Sequence, residues 1–184
     1  MKIRFIQNGK TQFSKVGKIL FTHFGLSSAL ILNSSHRVKK LLDQGPVMTS
    51  IDLFPDTLEP DLDKKILKLF QKNHNKKLKN VLPELLSKKL AEAILEFLPP
   101  ALAQKKVNEV SREERKTLVK KIKNLEMQIT GTLGMDRAVI ADGGIALEEV
   151  NFSRMVSKKY DNLYLLGDIL NINRPSGGYS LQLC

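Results

Sequence analysis

The chain has 184 residues, of which 42% are hydrophobic, and a formal net charge of +11 at pH 7. This length allows one domain or two small ones, and no apolar run approaches the ~20 residues that a membrane helix requires. The single cysteine, Cys184, excludes an internal disulfide. The N-terminal sequence has no apolar stretch of signal-peptide length, so a cytoplasmic location without membrane attachment is expected.

The first part of the chain is predicted to be mostly strand. The segments KIRFIQ and KTQFSK flank Asn8-Gly9, and this dipeptide signals a hairpin because both residues tolerate the positive φ angles of a type I′ turn. KILFTHF is predicted as a further strand in which His23 is a buried imidazole. A helix follows, capped by Ser27 or Ser28, and PVMTSIDLFP is the next strand.

The middle of the chain changes to the helical period. Apolar residues recur three or four positions apart in DLDKKILKLF and in PELLSKKLAEAILEFL, where Pro83 suits a first helical turn. Ser111 and Glu114 have the spacing of a capping box at the start of a further helix. We therefore predict a module of about three helices with leucine and isoleucine inside and lysine outside.

Most of the excess positive charge belongs to this helical part. Between Asp61 and Leu125, lysines and arginines outnumber acidic residues by 17 to 8. Two interpretations stay open. The lysines form a solvated helical face, as is common, or they attract nucleic acid through its phosphates.

The last part of the chain returns to strands and loops. RAVIADGG and NLYLLGDI are nearly continuous apolar runs, typical of strands buried on both faces. They end in Asp142-Gly143-Gly144 and in Gly167-Asp168. Ligands of α/β proteins gather at such strand ends, where glycine lets a ligand approach the backbone and a carboxylate accepts hydrogen bonds from hydroxyl groups. A ligand site is predicted there.

The sequence SGGYS at residues 176–180 is the second candidate ligand loop. Its paired glycines leave backbone N–H groups uncovered, which favours an electron-rich or anionic group. No residues have metal-ligand spacing, so no metal is expected, and the G-x-S-x-G and G-x-G-x-x-G motifs are missing. No catalytic residue is assigned, and His23 and Tyr179 are candidates only for lining a pocket.

These motifs resemble the bacterial HI0933-like (BaiN/aminoacetone oxidase-like) FAD-dependent oxidoreductases. The resemblance rests on GKILFTHFGLSSALIL and on the segment from AVIADGG to PSGGYSLQ, and it covers only the later part of the family protein. It implies that FAD is the cofactor. The residues that it implies as FAD contacts are Gly167 and Asp168 at the pyrophosphate–ribityl portion, and Gly177, Gly178, Tyr179, Ser180 and Leu181 under the flavin ring.

The resemblance also implies an α+β fold, with a β-barrel-like insert domain, a small three-helix module and the returning strands of a truncated α/β flavin-binding domain. The insert domain is expected at residues 1–137, with its β part at 1–56 and 126–137 and its helical module at 57–125. A partial FAD-binding domain is expected at 138–184. The N-terminal Rossmann half of the same protein, which holds the ADP moiety, is the expected partner, so we expect this chain to purify colourless.

Three functions stay open at this point. The chain is a fragment of a flavoprotein oxidoreductase, contributing the substrate-side domain and part of the flavin site for a small-molecule substrate. Alternatively, the basic helices at 61–125 form a nucleic-acid-binding module, or the chain is an inactive partial reading frame. Neither the substrate nor the electron acceptor follows from the sequence.

Overall fold

The structure, a computed structural model, describes residues 1–137 and 143–172. The chain divides into two compact units, each assembled from two separate stretches. The first unit comprises Met1–Lys15 and Met48–Met127, and the second comprises Val16–Val47 and the chain from Gln128 onward. The predicted domain boundary at residue 137 stays a prediction.

Along the described residues, a strand-rich stretch comes first, a helical stretch follows, and the last stretch has only a few short strands. The strands are β1 (Lys2–Gln7), β2 (Lys10–Val16), β3 (Leu20–Thr22), β4 (Gly25–Ser27), β5 (Val47–Asp52), β6 (Leu125–Ile129), β7 (Val150–Asn151) and β8 (Val156–Ser157). The helices are α1 (Ala29–Leu42), α2 (Glu59–Lys72), α3 (Leu78–Val81), α4 (Lys88–Glu96), α5 (Pro100–Gln104) and α6 (Arg112–Lys123).

The main sheet has the strand order β2-β1-β5-β6. The turn between β1 and β2 is the predicted hairpin, since Asn8 and Gly9 have φ angles of 51° and 71°. β5 pairs antiparallel with β1, with Ile3 opposite Ile51. Both of these isoleucines are fully buried, so the centre of the sheet contributes to the core.

The predicted barrel-like closure is not found within residues 1–137 and 143–172. Closure requires the two outer strands of a sheet to pair with each other, but β2 and β6 remain the edges of an open four-stranded sheet. β2 is exposed along almost its whole length. The broader expectation of a mixed helix-and-sheet fold is confirmed.

The helical module contains five α-helices rather than about three. Pro83 lies in a 3₁₀ turn, Leu82–Glu84, and α4 begins only after Ser87, so the single helix predicted for this stretch is divided. Proline lacks the N–H donor that a continuous helix needs, and Pro100 begins the separate helix α5. Most residues of the predicted apolar stripes form the core of the module, and the buried ones are Leu62, Ile66, Phe70, Leu86, Ile94, Leu98, Leu118 and Ile122. Leu69 and Leu90 are only partly buried, and Leu125 is buried but begins β6 rather than continuing α6.

The capping signals of the sequence are confirmed at two helices. At α6, the hydroxyl of Ser111 accepts from the backbone N–H of Glu114, and the Glu114 carboxylate accepts from the backbone N–H of Ser111, which completes the capping box. At α1, Ser28 is the N-cap, and its hydroxyl accepts from the N–H of Ile31.

The prediction of a continuous strand with a buried His23 is wrong. The stretch forms the short antiparallel pair β3–β4, and His23 and Phe24 make the turn between them. Both side chains are exposed, and their rings meet edge to face with centroids 4.8 Å apart. A two-residue turn directs its side chains to solvent, so the imidazole is not enclosed. Among the described helices, none is long and apolar enough to cross a bilayer.

Candidate functional site

Two glycine-containing turns predicted as strand ends meet in the second unit. Ile145 donates its N–H to the carbonyl of Ile169 (2.8 Å), and Asn171 donates its N–H to the carbonyl of Ile145 (3.0 Å). These bonds form a parallel bridge between Ile145 and Leu170. By this register, Gly143-Gly144 lies beside the turn that contains Asp168. The structure thus brings the two predicted motifs together, while Asp142 lies outside the described residues.

Gly144 is required by the close approach of these two backbones. A Cβ at this position would lie 2.5 Å from the carbonyl oxygen of Ile169 and 2.9 Å from the nitrogen of Asn171. Its φ of 139° is also unfavourable for residues with a side chain. By contrast, a Cβ on Gly143 would have no heavy atom within 4 Å, so this backbone borders open space.

Gly167 and Asp168 form a 3₁₀ turn rather than the tip of a buried strand. The turn spans Gly167–Ile169, and the carbonyl of Gly167 accepts from the N–H of Leu170 (3.2 Å). Gly167 is buried, whereas Asp168 is exposed. The exposed carboxylate of Asp168 and the open backbone at Gly143 suit a ligand with several hydroxyl groups, because the carboxylate accepts hydrogen bonds and the backbone N–H donates them.

The predicted strand NLYLLGDI is not buried on both faces. The side chain of Leu165 is 3% exposed, but its neighbours Tyr164 and Leu166 are 64% and 59% exposed. The segment pairs briefly with β8 through bonds from Ser157 to Leu163 (2.8 Å) and from Leu165 to Met155 (2.9 Å). One face of this segment therefore packs inward, and the prediction from apolar content alone was wrong.

A small core supports the glycine turns. Its buried members are Val150, Leu165 and Leu170, and three partly buried residues pack against them, namely Ile145, Met155 and Ile172. Ile145 and Leu170 also form the backbone bridge between the two turns. The positions of the turns therefore depend on this core.

The second predicted ligand loop belongs to the part of the chain beyond the described residues. Gly177, Gly178, Tyr179, Ser180 and Leu181 lie outside the described residues, as do residues 138–142 of the preceding predicted strand. Their assignment to a cofactor stays a prediction.

The first unit contains a polar groove that the sequence did not predict. It has a volume of about 400 Å³. We call it the α6 groove, and its lining residues are Arg4, Asp52, Glu59, Lys120, Lys121, Lys123, Asn124 and Glu126. All of these side chains are charged except the amide of Asn124. The clustered lysines at the end of α6 were the available signal, but nothing in the sequence pointed to the contribution of Arg4.

Two of the charged residues in the α6 groove, Lys123 and Asp52, neutralise each other in an ion pair. Lys123 Nζ lies 2.6 Å from Asp52 Oδ2, and both side chains are largely buried. Lys123 Nζ also donates to the carbonyls of Phe54 (2.7 Å) and Thr57 (2.8 Å), while Asp52 Oδ1 accepts from the N–H of Phe54. Lys123 is therefore a structural cation that ties the end of α6 to the chain preceding α2.

Arg4 lines the groove and is held in place by hydrogen bonds. Its Nη2 donates to Ser50 Oγ (2.9 Å) and to Asn124 Oδ1 (3.1 Å). The hydroxyl of Ser50 also bonds to Asn124 Oδ1, and Asn124 Nδ2 donates to Glu126 Oε1 (2.7 Å). These bonds join three strands and the end of α6, and they orient the Arg4 guanidinium before any ligand arrives.

Residues 1–140 match the family model described as the HI0933-like protein barrel and H2TH domain. The chain belongs to the HI0933-like family. The family predicted from the sequence motifs is therefore confirmed.

Curated relatives of this chain have two kinds of names. It is 28% identical over 165 residues to the ribosomal RNA dihydrouridine synthases of Haemophilus influenzae and Escherichia coli, covering 90% and 89% of this chain but 39% and 38% of those proteins. It is 26% identical over 167 residues to the 3-dehydro-bile acid delta(4,6)-reductase of Clostridium scindens, covering 90% of this chain and 41% of that protein. This HI0933-like chain thus spans about two fifths of the length of these relatives.

Proposed function

We propose that this chain is the substrate-side part of an FAD-dependent oxidoreductase and contributes residues to its flavin site. The observation that carries the proposal is the bridge between Ile145 and Leu170, whose register sets Gly143 beside the turn that contains Asp168. Membership of the HI0933-like family and the reductase and dihydrouridine synthase names of the relatives support a redox activity.

The described residues fit part of a flavin nucleotide. The exposed carboxylate of Asp168 suits the hydroxyl groups of a ribityl chain, and the open backbone at Gly143 allows such a chain to approach. Gly177 to Leu181 are proposed to lie under the flavin ring. When bound, the flavin supplies hydride transfer, while the protein binds the cofactor, orients it and tunes its electrostatic surroundings.

The substrate is a separate question, because the relatives' names point to two different chemical classes. One class is ribosomal RNA and the other is a bile acid, which is a rigid and largely apolar small molecule. The flavin proposal holds for either class.

Titration of FAD with the purified chain tests the flavin site. We expect saturable quenching of FAD fluorescence at high protein concentration, and weaker binding by an Asp168→Ala variant. Loss of a hydrogen-bonding carboxylate costs about 1.5–3 kcal/mol, so the dissociation constant should rise by about tenfold or more.

Asp161→Ala provides the matched control, since Asp161 is an exposed aspartate of the same unit and its replacement changes the charge equally. We expect its FAD affinity to equal that of the unaltered chain. Quenching that does not saturate, or equal weakening by both replacements, would contradict the assignment of Asp168.

A further inference from the structure

We propose that the α6 groove binds backbone phosphates of an RNA, which makes RNA the substrate class of this chain. This proposal rests on the proposed oxidoreductase function, because the RNA would be the substrate of that enzyme. The groove itself lies in the first unit, and none of its lining residues is a proposed flavin contact.

The chemistry of the lining favours a polyanion over a steroid. Pockets for apolar small molecules are lined mainly by hydrophobic and aromatic side chains. The α6 groove has four cationic side chains, three carboxylates and one amide, and no aliphatic or aromatic residue. Arginine and lysine side chains are frequent donors to nucleic-acid phosphates, and the groove contains four of them.

Three of the four cations in the groove remain available to a ligand. Lys123 is engaged by Asp52 and by two backbone carbonyls. Within the described residues, Lys120 and Lys121 lie in no ion pair, and Arg4 uses only Nη2 for its two hydrogen bonds. The guanidinium therefore retains Nε and Nη1 donors, which suit the oxygens of a phosphate.

Two carboxylates of the groove set a limit on what it binds. Glu59 and Glu126 remain after the compensated Asp52–Lys123 pair is set aside, and Glu126 accepts a hydrogen bond from Asn124. Two carboxylates beside three available cations leave a small positive excess. The groove therefore suits one or two phosphates at a defined position rather than a long stretch of backbone.

The outward face of α6 extends this positive surface beyond the groove. Arg112, Lys116 and Lys120 follow one another at four-residue spacing and are all exposed, so they lie along one side of the helix. Lys116 is partly neutralised by Glu113, whose carboxylate lies 3.1 Å from its Nζ. A chain of phosphates that enters the groove at Lys120 would continue along this row.

The relatives favour RNA as the source of the phosphates. Two proteins whose names specify ribosomal RNA match 165 residues of this 184-residue chain, so the matched length includes most of the first unit. A groove of charged side chains is consistent with their substrate and does not suit the bile acid named for the third relative.

A charge-matched pair of variants tests the groove in the intact 184-residue chain. The groove variant is Lys120→Gln with Lys121→Gln. The control variant is Lys88→Gln with Lys89→Gln, an adjacent pair of exposed lysines at the start of α4 that lies outside the groove. Both variants lose two positive charges, so a difference between them reflects the position of the lost charges rather than their number.

The probe is a fluorescein-labelled RNA hairpin with single-stranded flanks, titrated by fluorescence anisotropy at several KCl concentrations. We expect the unaltered chain to bind with an affinity that falls steeply with salt. Loss of two phosphate contacts should lower the slope of log K against log salt by about 1.4 for single strands or about 1.8 for duplex. The control should retain the original slope and bind more tightly than the groove variant.

Three results would overturn the proposal: no RNA binding by the unaltered chain, binding that salt does not weaken, or equal losses in the two variants. Thermal unfolding establishes that each variant is folded. If the double groove variant is unstable, Lys120→Gln alone, with Lys88→Gln as its control, gives the same comparison at exposed positions. The titration contains no flavin, so its failure leaves the FAD proposal standing, and a failed FAD titration leaves this one standing.

Discussion

The helical module and the segment 143–172 are stabilised in different ways. The module has a core of many fully buried side chains, such as Leu62, Ile94 and Ile122, contributed by several helices. The segment has four buried apolar residues, Val150, Val156, Leu165 and Leu170. Hydrophobic stabilisation grows with the apolar area removed from water, so the module receives much more of it.

The surfaces of the two regions also differ: the region with the smaller apolar core exposes more apolar side chains. Charged residues cover the module, whereas the segment exposes large apolar side chains, among them Phe152, Tyr160, Tyr164, Leu166 and Ile169. Stability in the module is therefore distributed over many side chains. In the segment it is concentrated in a few backbone contacts around Gly144, and single replacements should therefore act more locally there.

The largest effect is expected at Gly144. In a Gly144→Ala variant, the new Cβ would meet the Ile169 carbonyl at 2.5 Å with φ at 139°. Backbone strain and overpacking each cost about 1–3 kcal/mol, so the bridge between the two turns should open. Hydrogen–deuterium exchange should then accelerate in peptides from residues 143–172 and stay unchanged in residues 59–123.

Gly143→Ala separates steric overlap from backbone strain. Gly143 also has a positive φ, of 98°, but its Cβ would enter open space. We expect a smaller acceleration of exchange than in Gly144→Ala. If the two replacements have equal effects, or if exchange in the helical module also accelerates, the contrast between the two regions is wrong.

A smaller effect is expected at the ion pair between α2 and α6. Arg115 donates through Nε to Asp63 Oδ1 (2.6 Å) and through Nη2 to Asp63 Oδ2 (3.0 Å). Asp63→Ala should lower the free energy of unfolding by about 1.5–3 kcal/mol, measured by urea denaturation at neutral pH. Asp61→Ala, which removes an exposed i,i+3 contact with Lys64, should cost about 0.5 kcal/mol or less.

The same pair predicts a pH dependence. The hydrogen bond from Arg115 lowers the pKa of Asp63 below its ordinary value of 3.8. The folded state therefore holds this proton less tightly than the unfolded state, and the pair stabilises the fold fully above the ordinary value. The difference between the unaltered chain and Asp63→Ala should shrink as the pH falls below 3.8 toward the lowered pKa of the folded state. A difference that grows in acid would contradict this sign.

The smallest effect is expected at the helix caps. Ser111→Ala removes the side-chain acceptor of the capping box at α6 and should cost about 1 kcal/mol in urea denaturation. Ser87 stands at the N-cap of α4 but makes no capping hydrogen bond, so Ser87→Ala should be nearly neutral. Equal losses at the two serines would show that the capping bond of Ser111 does not stabilise the module.

The features that the sequence predicted correctly depend on neighbouring residues. Asn8 and Gly9 determine their turn through their own φ preferences, and Ser111 and Glu114 complete a capping box within four positions. The apolar stripes of α2 and α6 were predicted because helical periodicity places such residues on one side. Local geometry is sufficient in each case.

The predictions that failed needed knowledge of what packs against each segment. The run at residues 162–169 is apolar enough for a buried strand, but only Leu165 of its central residues is covered. His23 lies in an apolar stretch, yet the chain turns at that position and exposes it. Neither the edges of the open sheet nor the extra break at Pro83 followed from residue spacing.

By itself, the sequence determined the family of this chain, its hairpin, its caps and its helical stripes, because these follow from motifs and short-range periodicity. Only the tertiary structure decided that Gly144 packs against Ile169 and that Arg4 joins Asn124 and Lys120 at one groove. Arg4 and Asn124 are 120 positions apart, and contacts over such separations arise from strand pairing and helix packing that residue spacing does not reveal.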